Sequence, residues 1–97
     1  VGELVDERAH GAGTMVEGVV AQANRAFDNL EAVLTQAGAK MTDVVKFTIF
    51  LTDINDFSQV NEVMAAHVPT PYPARSCMQV AAVPKGALVE VEAIAVI

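Results

Sequence analysis

From Val16 to Ala37 the apolar residues Val16, Val20, Ala23, Phe27, Leu30, Leu34 and Ala37 return at alternating steps of four and three. Only an α-helix brings that spacing onto one side. The stretch therefore predicts one long helix with a single buried stripe, and Gln22, Arg25, Asp28 and Glu31 facing away. Thr14 and Glu17 stand three apart in the form of an N-terminal capping box. Gly38 is placed to close the other end in a left-handed conformation. Directly after it the pattern changes: Val44 to Leu51 is β-branched and aromatic except for Lys46 and Thr48, which predicts a strand. A helix with one apolar stripe beside an apolar strand limits the chain to helices layered on a sheet.

The rest of the chain extends that plan. Asp53-Ile54-Asn55-Asp56 has turn and capping chemistry, and Phe57, Val60, Met64 and His67 form the inner face of a second, shorter helix. Pro69, Pro71 and Pro73 require an extended connection. Ala74 to Val83 and Ala87 to Ile97 then predict two strands, joined across Pro84-Lys85-Gly86 as a tight hairpin. Residues 1–13, with Gly2, Gly11 and Gly13 among charged residues, predict a loop. The expectation is one α+β domain, residues 1–97, with a core over 14–97 and two helices on one face of a three-stranded sheet. Strands this apolar need their second face covered as well, which predicts packing against other subunits.

Composition narrows the function. Net charge is −6 with only six Lys and Arg, scattered singly, so the chain has no basic patch to neutralise nucleic-acid phosphates. Apolar residues make up 53% of the chain, yet no apolar run is long enough to span a membrane, and the N-terminus has no signal-peptide pattern. Cys77 is the single cysteine, which excludes an intrachain disulfide and a Cys₂His₂ zinc site and fits a reducing, cytoplasmic setting.

The candidate chemistry lies near the C-terminus. Tyr72-Pro73-Ala74-Arg75-Ser76-Cys77 sets one arginine into a strand, and Leu88-Val89-Glu90-Val91-Glu92 brings two carboxylates on the next. A guanidinium can grip a carboxylate with two parallel hydrogen bonds, and a nearby carboxylate can hold or activate water. In an extended strand Arg75, Cys77 and Gln79 share one side, while Glu90 and Glu92 share a side of theirs. Pairing register decides whether the two sets meet. Taken by residue type alone, Arg75 also reads as half of an ordinary ion pair with Glu90 or Glu92, those glutamates as a solvated strand face, Cys77 as a small core residue, and His67 as helix-end packing. Were Cys77 beside Arg75, the cation would favour its thiolate.

Several segments together carry a resemblance: Asn29-Leu30-Glu31-Ala32-Val33-Leu34, Ala37-Gly38-Ala39, Asp43 to Asp53, Asn55-Asp56-Phe57, Val60-Asn61-Glu62-Val63, Pro73-Ala74-Arg75-Ser76 and Glu90 to Ala95. From about residue 20 onward the chain resembles the RidA/YjgF family of reactive-intermediate deaminases. The resemblance implies a chorismate-mutase-like fold, a homotrimer with sites between subunits, and hydrolysis of 2-enamino and 2-imino acids to 2-keto acids and ammonia without metal or cofactor. It implies that Arg75 holds the substrate carboxylate, Glu90 orients the attacking water and Cys77 lines the pocket. Two other readings are a non-catalytic trimer that binds small carboxylates and an endoribonuclease of the kind described for some relatives. The chain also departs from the family: the usual N-terminal strands, with a pocket tyrosine and serine, are missing, the start resembles the loop after them, and Asp6 to Gly18 is longer than the family loop.

Overall fold

The computed structural model describes the backbone of residues 4–10 and the whole of residues 18–97. The order is β1 (Leu4–His10), α1 (Val19–Gln36), β2 (Val44–Leu51), α2 (Phe57–His67), β3 (Ala74–Gln79) and β4 (Val89–Val96). The four strands form one sheet in the order β1-β4-β2-β3. The expected α+β layering is present, with one more strand than the sequence suggested. Residues 4–10, expected as loop, pair antiparallel with β4 from Leu4↔Val96 to His10↔Glu90. Thr14 and Glu17 lie outside the described residues, but the helix they were expected to cap starts at Val19, with Gly18 at its N-cap in a positive-φ conformation (φ +80°).

The α1 periodicity sets the core. Ala23, Ala26, Phe27, Leu30 and Leu34 are fully buried. Phe27 meets Phe47 of β2 edge-on, with ring centroids 5.8 Å apart. The helix ends as expected at Gly38, whose φ is +82°. Gly38 N–H donates to the Thr35 carbonyl and Ala39 N–H to the Leu34 carbonyl, 3.1 and 2.8 Å, which is the paired closure of a Schellman motif. Three assignments on α1 are corrected, the first being Ala37, which the periodicity places in the stripe but which is the exposed C-cap residue. Val20 is 42% exposed and its neighbour Val19 is buried instead, and Gln22, expected to face solvent, is buried. Its Oε1 accepts the Leu88 N–H at 2.7 Å, so the stripe admits a polar side chain because a backbone donor of the loop before β4 needs an acceptor.

β2 occupies the bounds its sequence predicts and sits between two partners. It pairs antiparallel with β4 and parallel with β3. A register shift between Val44 and Lys46 leaves Val45 half-exposed and returns Val44 to the buried face. The expected β3–β4 hairpin does not form. β3 follows β2 through α2 as a β-α-β crossover, the usual way of joining parallel neighbours. Residues 80–88 then carry the chain across β2 to its other side. The Pro84-Lys85-Gly86 turn, with φ +61° at Lys85, lies inside that connection.

Candidate functional site

Register on the shared strand β2 settles which side chains meet. Arg75 is opposite Phe47, which is opposite Ala93, and Cys77 is opposite Ile49, which is opposite Val91. Phe47, Ile49, Val91 and Ala93 are fully buried beneath the helices. Arg75, Cys77 and Gln79 therefore lie on the helix side of the sheet, at its β3 edge. Ser76–Thr48–Glu92 and Met78–Phe50–Glu90 form the alternate rows on the other side. Within one chain Arg75 and the two glutamates face away from each other across the sheet. That arrangement excludes the Arg75–Glu90 and Arg75–Glu92 ion pairs left open by the sequence.

α2 holds the arginine in place. The start of the helix is fastened to β3: Ile54 N–H donates to Gln79 Oε1 at 2.9 Å, and the Asp53 carboxylate accepts Asn55 N–H at 3.0 Å. One turn into α2, Phe57 and Asn61 stand four residues apart on the side turned toward β3. The Arg75 guanidinium lies over the Phe57 ring, 5.0 Å from its centroid, and its Nη1 donates to Asn61 Oδ1. Both partners are uncharged, so among the described residues nothing neutralises this cation. One of its five N–H donors is committed to Asn61 and four remain. Beside it opens a cavity of about 420 Å³ lined by Asn61, Met64, Ala65, Tyr72, Pro73 and Arg75.

On the opposite side Glu90 is 6% exposed although neither helix covers it. A smaller cavity of about 170 Å³ lies against it, lined by Phe50, Val80, Ala82, Val83 and Glu90. A carboxylate beside apolar walls is a place where one water can be held in a defined orientation. Cys77, on the Arg75 side, is half-buried. Burial pushes its thiol above the ordinary value and the Arg75 charge pulls back less strongly, so the expected thiolate is not favoured. His67 keeps the packing role open to it. It stacks on Phe27 with centroids 5.6 Å apart, and its Nε2 lies 2.9 Å from Asn24 Oδ1. No group of three or more His, Cys, Asp or Glu suited to a metal occurs among the described residues.

Sequence reasoning missed Asn61, Phe57 and Tyr72 as members of the arginine pocket. One signal was available: Asn61 follows Phe57 by one helical turn and flanks the apolar face of Val60 and Met64.

Residues 6–97 match the model of the family described as Endoribonuclease L-PSP. The goat (Capra hircus) protein named 2-iminobutanoate/2-iminopropanoate deaminase is 52% identical over 79 residues, 81% of this chain and 58% of its own length. Protein DfrA of Myxococcus xanthus is 52% identical over 83 residues, 84% of this chain and 63% of its own. Among solved structures, RidA from an Antarctic Psychrobacter superposes with a TM-score of 0.93 at 44% identity, over 100% of this chain and 83% of that one. E. coli TdcF with bound serine superposes with a TM-score of 0.87 at 36% identity, with the same coverages. The chain belongs to this family, the RidA/YjgF proteins. It spans about three-fifths of the length of these curated relatives.

Proposed function

We propose that this chain is the core of a hydrolytic deaminase that converts 2-enamino and 2-imino acids to 2-keto acids and ammonia. The observation that carries the proposal is the Arg75 guanidinium. It is fixed between Phe57 and Asn61, without a counter-charge among the described residues, at the wall of a cavity sized for a small metabolite. The relatives point the same way. The goat protein, at 52% identity, is named for this deamination. The TdcF structure holds bound serine, a small molecule with a carboxylate.

In this reading Arg75 binds the substrate carboxylate and leaves the adjacent C=N carbon beside the cavity. Glu90 accepts a proton from water as the water oxygen bonds to that carbon. Glu90 passes that proton to the nitrogen of the resulting carbinolamine; the carbinol O–H then gives up its own proton, the C–N bond breaks to release ammonia, and the carbon–oxygen double bond of the keto acid forms. One water is consumed and no electrons change hands, so the reaction asks for neither metal nor redox cofactor. Because Arg75 and Glu90 face opposite sides of one sheet, the two halves combine only between copies, as they would in a homotrimer whose clefts join neighbouring subunits. Cys77, expected in the pocket, shares the Arg75 side of β3 but is not among the residues that line the cavity, and the single cysteine suits a cytoplasmic setting.

The test is ammonia release from an imino acid generated in place by an amino-acid oxidase. The wild-type chain should accelerate release and Arg75→Ala should not. Equal rates for the two would sink the assignment. A carboxylate-binding trimer without turnover is the second reading, favoured by the bound serine of TdcF, and saturable 2-ketobutyrate binding without ammonia release would select it. The endoribonuclease named in the family description fits poorly with a net charge of −6, since RNA binding rests on neutralised phosphates.

A further inference from the structure

We infer that Asn61 is a positioning residue for Arg75, and that its neutrality is what keeps the arginine able to take an anion. The inference rests on the clamp reading above and concerns how the clamp is preset. Arginine is long and many-jointed, and an exposed one samples many rotamers. Arg75 is exposed at the sheet edge, yet it is tied at two points on one helix. Phe57 lies against the guanidinium and limits its tilt, while Asn61 Oδ1 accepts from Nη1 and limits its rotation in that plane. The two supports are four residues apart on α2, so one rigid turn of helix sets both. The bond from Ile54 to Gln79 anchors the start of that helix to the same strand that carries Arg75. A carboxylate then meets a fork whose orientation is already fixed, which lowers the ordering cost of binding.

The choice of acceptor matters as much as its place. An aspartate at position 61 would accept the same hydrogen bond and add a negative charge. It would pair with the guanidinium and compete with the ligand carboxylate. Asparagine supplies the geometry and leaves the positive charge available. Asn61 also lines the 420 Å³ cavity, so the tethered face of Arg75 and the ligand space adjoin.

The experiment is a titration of 2-ketobutyrate into the wild type, Asn61→Ala, Asn61→Asp, Arg75→Ala and the Asn61→Ala/Arg75→Ala double variant, with thermal midpoints recorded for each. Affinity should fall about tenfold in Asn61→Ala and further in Asn61→Asp, which is nearly isosteric and guards against loss of folding. The double variant should bind no worse than Arg75→Ala alone, because Asn61 acts only through the arginine. Unchanged affinity in Asn61→Ala, equal affinities in the Asp and Ala variants, or full additivity in the double variant would overturn the positioning role and leave the clamp standing. Wild-type affinity in Arg75→Ala would instead overturn the clamp, and this inference with it.

Discussion

The two sides of the sheet hold their charged groups in opposite ways. On the helix side Arg75 is exposed, tethered by uncharged groups and bordered by the larger cavity. On the other side Glu90 is almost fully buried although neither helix covers that face. A cation kept open and a carboxylate kept sheltered suit different tasks: under the proposed function the first would take an anion and the second would hold a water away from bulk solvent. The sheet separates them within a chain, so chemistry that uses both has to be assembled from more than one copy. If the two residues serve one reaction, as proposed, a closed ring would repeat the same pairing at every interface.

The largest expected effect tests that division of labour. Glu90→Gln keeps the size of the side chain and removes its ability to take a proton from water. Ammonia release should fall by about 10² or more, the usual contribution of a positioned general base. Affinity for 2-ketobutyrate should stay within about twofold, because the clamp is on the other side. A parallel loss of binding and turnover would show that Glu90 is not separable from the arginine half.

Next in size is complementation between defective copies. Arg75→Ala and Glu90→Gln chains, each inactive alone, should regain activity when mixed under conditions that let subunits exchange. Random exchange in a ring puts both intact residues at roughly a quarter of the sites, so about a quarter of wild-type activity should return. The double variant mixed with wild type gives the same fraction of fully intact sites and serves as the reference. No recovery, with exchange demonstrated by mass, would mean that the two residues do not share a site.

How much of this was legible in the sequence depended on the range of the interactions. β2 and the Gly38 cap follow from spacing within a few residues and appear where the sequence places them, whereas α1 starts at Val19 behind Gly18 rather than at a Thr14 cap. The inward turn of Gln22 was hidden, since its partner is the Leu88 N–H, 66 positions away in the chain. The β3–β4 hairpin failed for a related reason. Two adjacent apolar strands with a Pro-Lys-Gly turn between them look like neighbours, but pairing is decided by competition for β2, which wins both. That error mattered for the site, because only the shared central strand shows that Arg75 and Glu90 face opposite ways. Arg75, Glu90 and Cys77 could be named from residue type and family pattern, whereas Asn61 and Phe57 needed the packing of α2 on β3.

Arg75→Lys sharpens the comparison on the helix side alone. Lysine keeps the charge but has no planar fork, so it can neither bind a carboxylate with two parallel bonds nor hold the bond to Asn61 and the Phe57 face together. Folding should survive with little change in thermal midpoint, since the residue is exposed. Affinity for 2-ketobutyrate should fall at least about tenfold, equivalent to about 1.4 kcal/mol. Unchanged affinity would mean that charge alone, without fork geometry, is sufficient on this side.

The smallest effect concerns Cys77, which shares the helix side with Arg75. Burial holds its thiol above the ordinary value, and the arginine charge offsets part of that rise. At pH 8 iodoacetamide should therefore alkylate the folded chain more slowly than the chain unfolded in urea, where neither influence remains. Removing the arginine in Arg75→Ala should slow the folded chain further, because only the charge was drawing the thiol down. The linkage to stability has a definite sign. The folded state keeps a proton that the unfolded state releases, so this contribution is intact below the unfolded thiol's pKa and declines as pH rises from there toward the folded value. Cys77→Ala should remove that alkaline decline while leaving the rest of the pH profile in place. Faster alkylation in the folded wild type than in urea would reverse the balance and mark Cys77 as an activated thiol, giving the arginine side a nucleophile as well as a clamp.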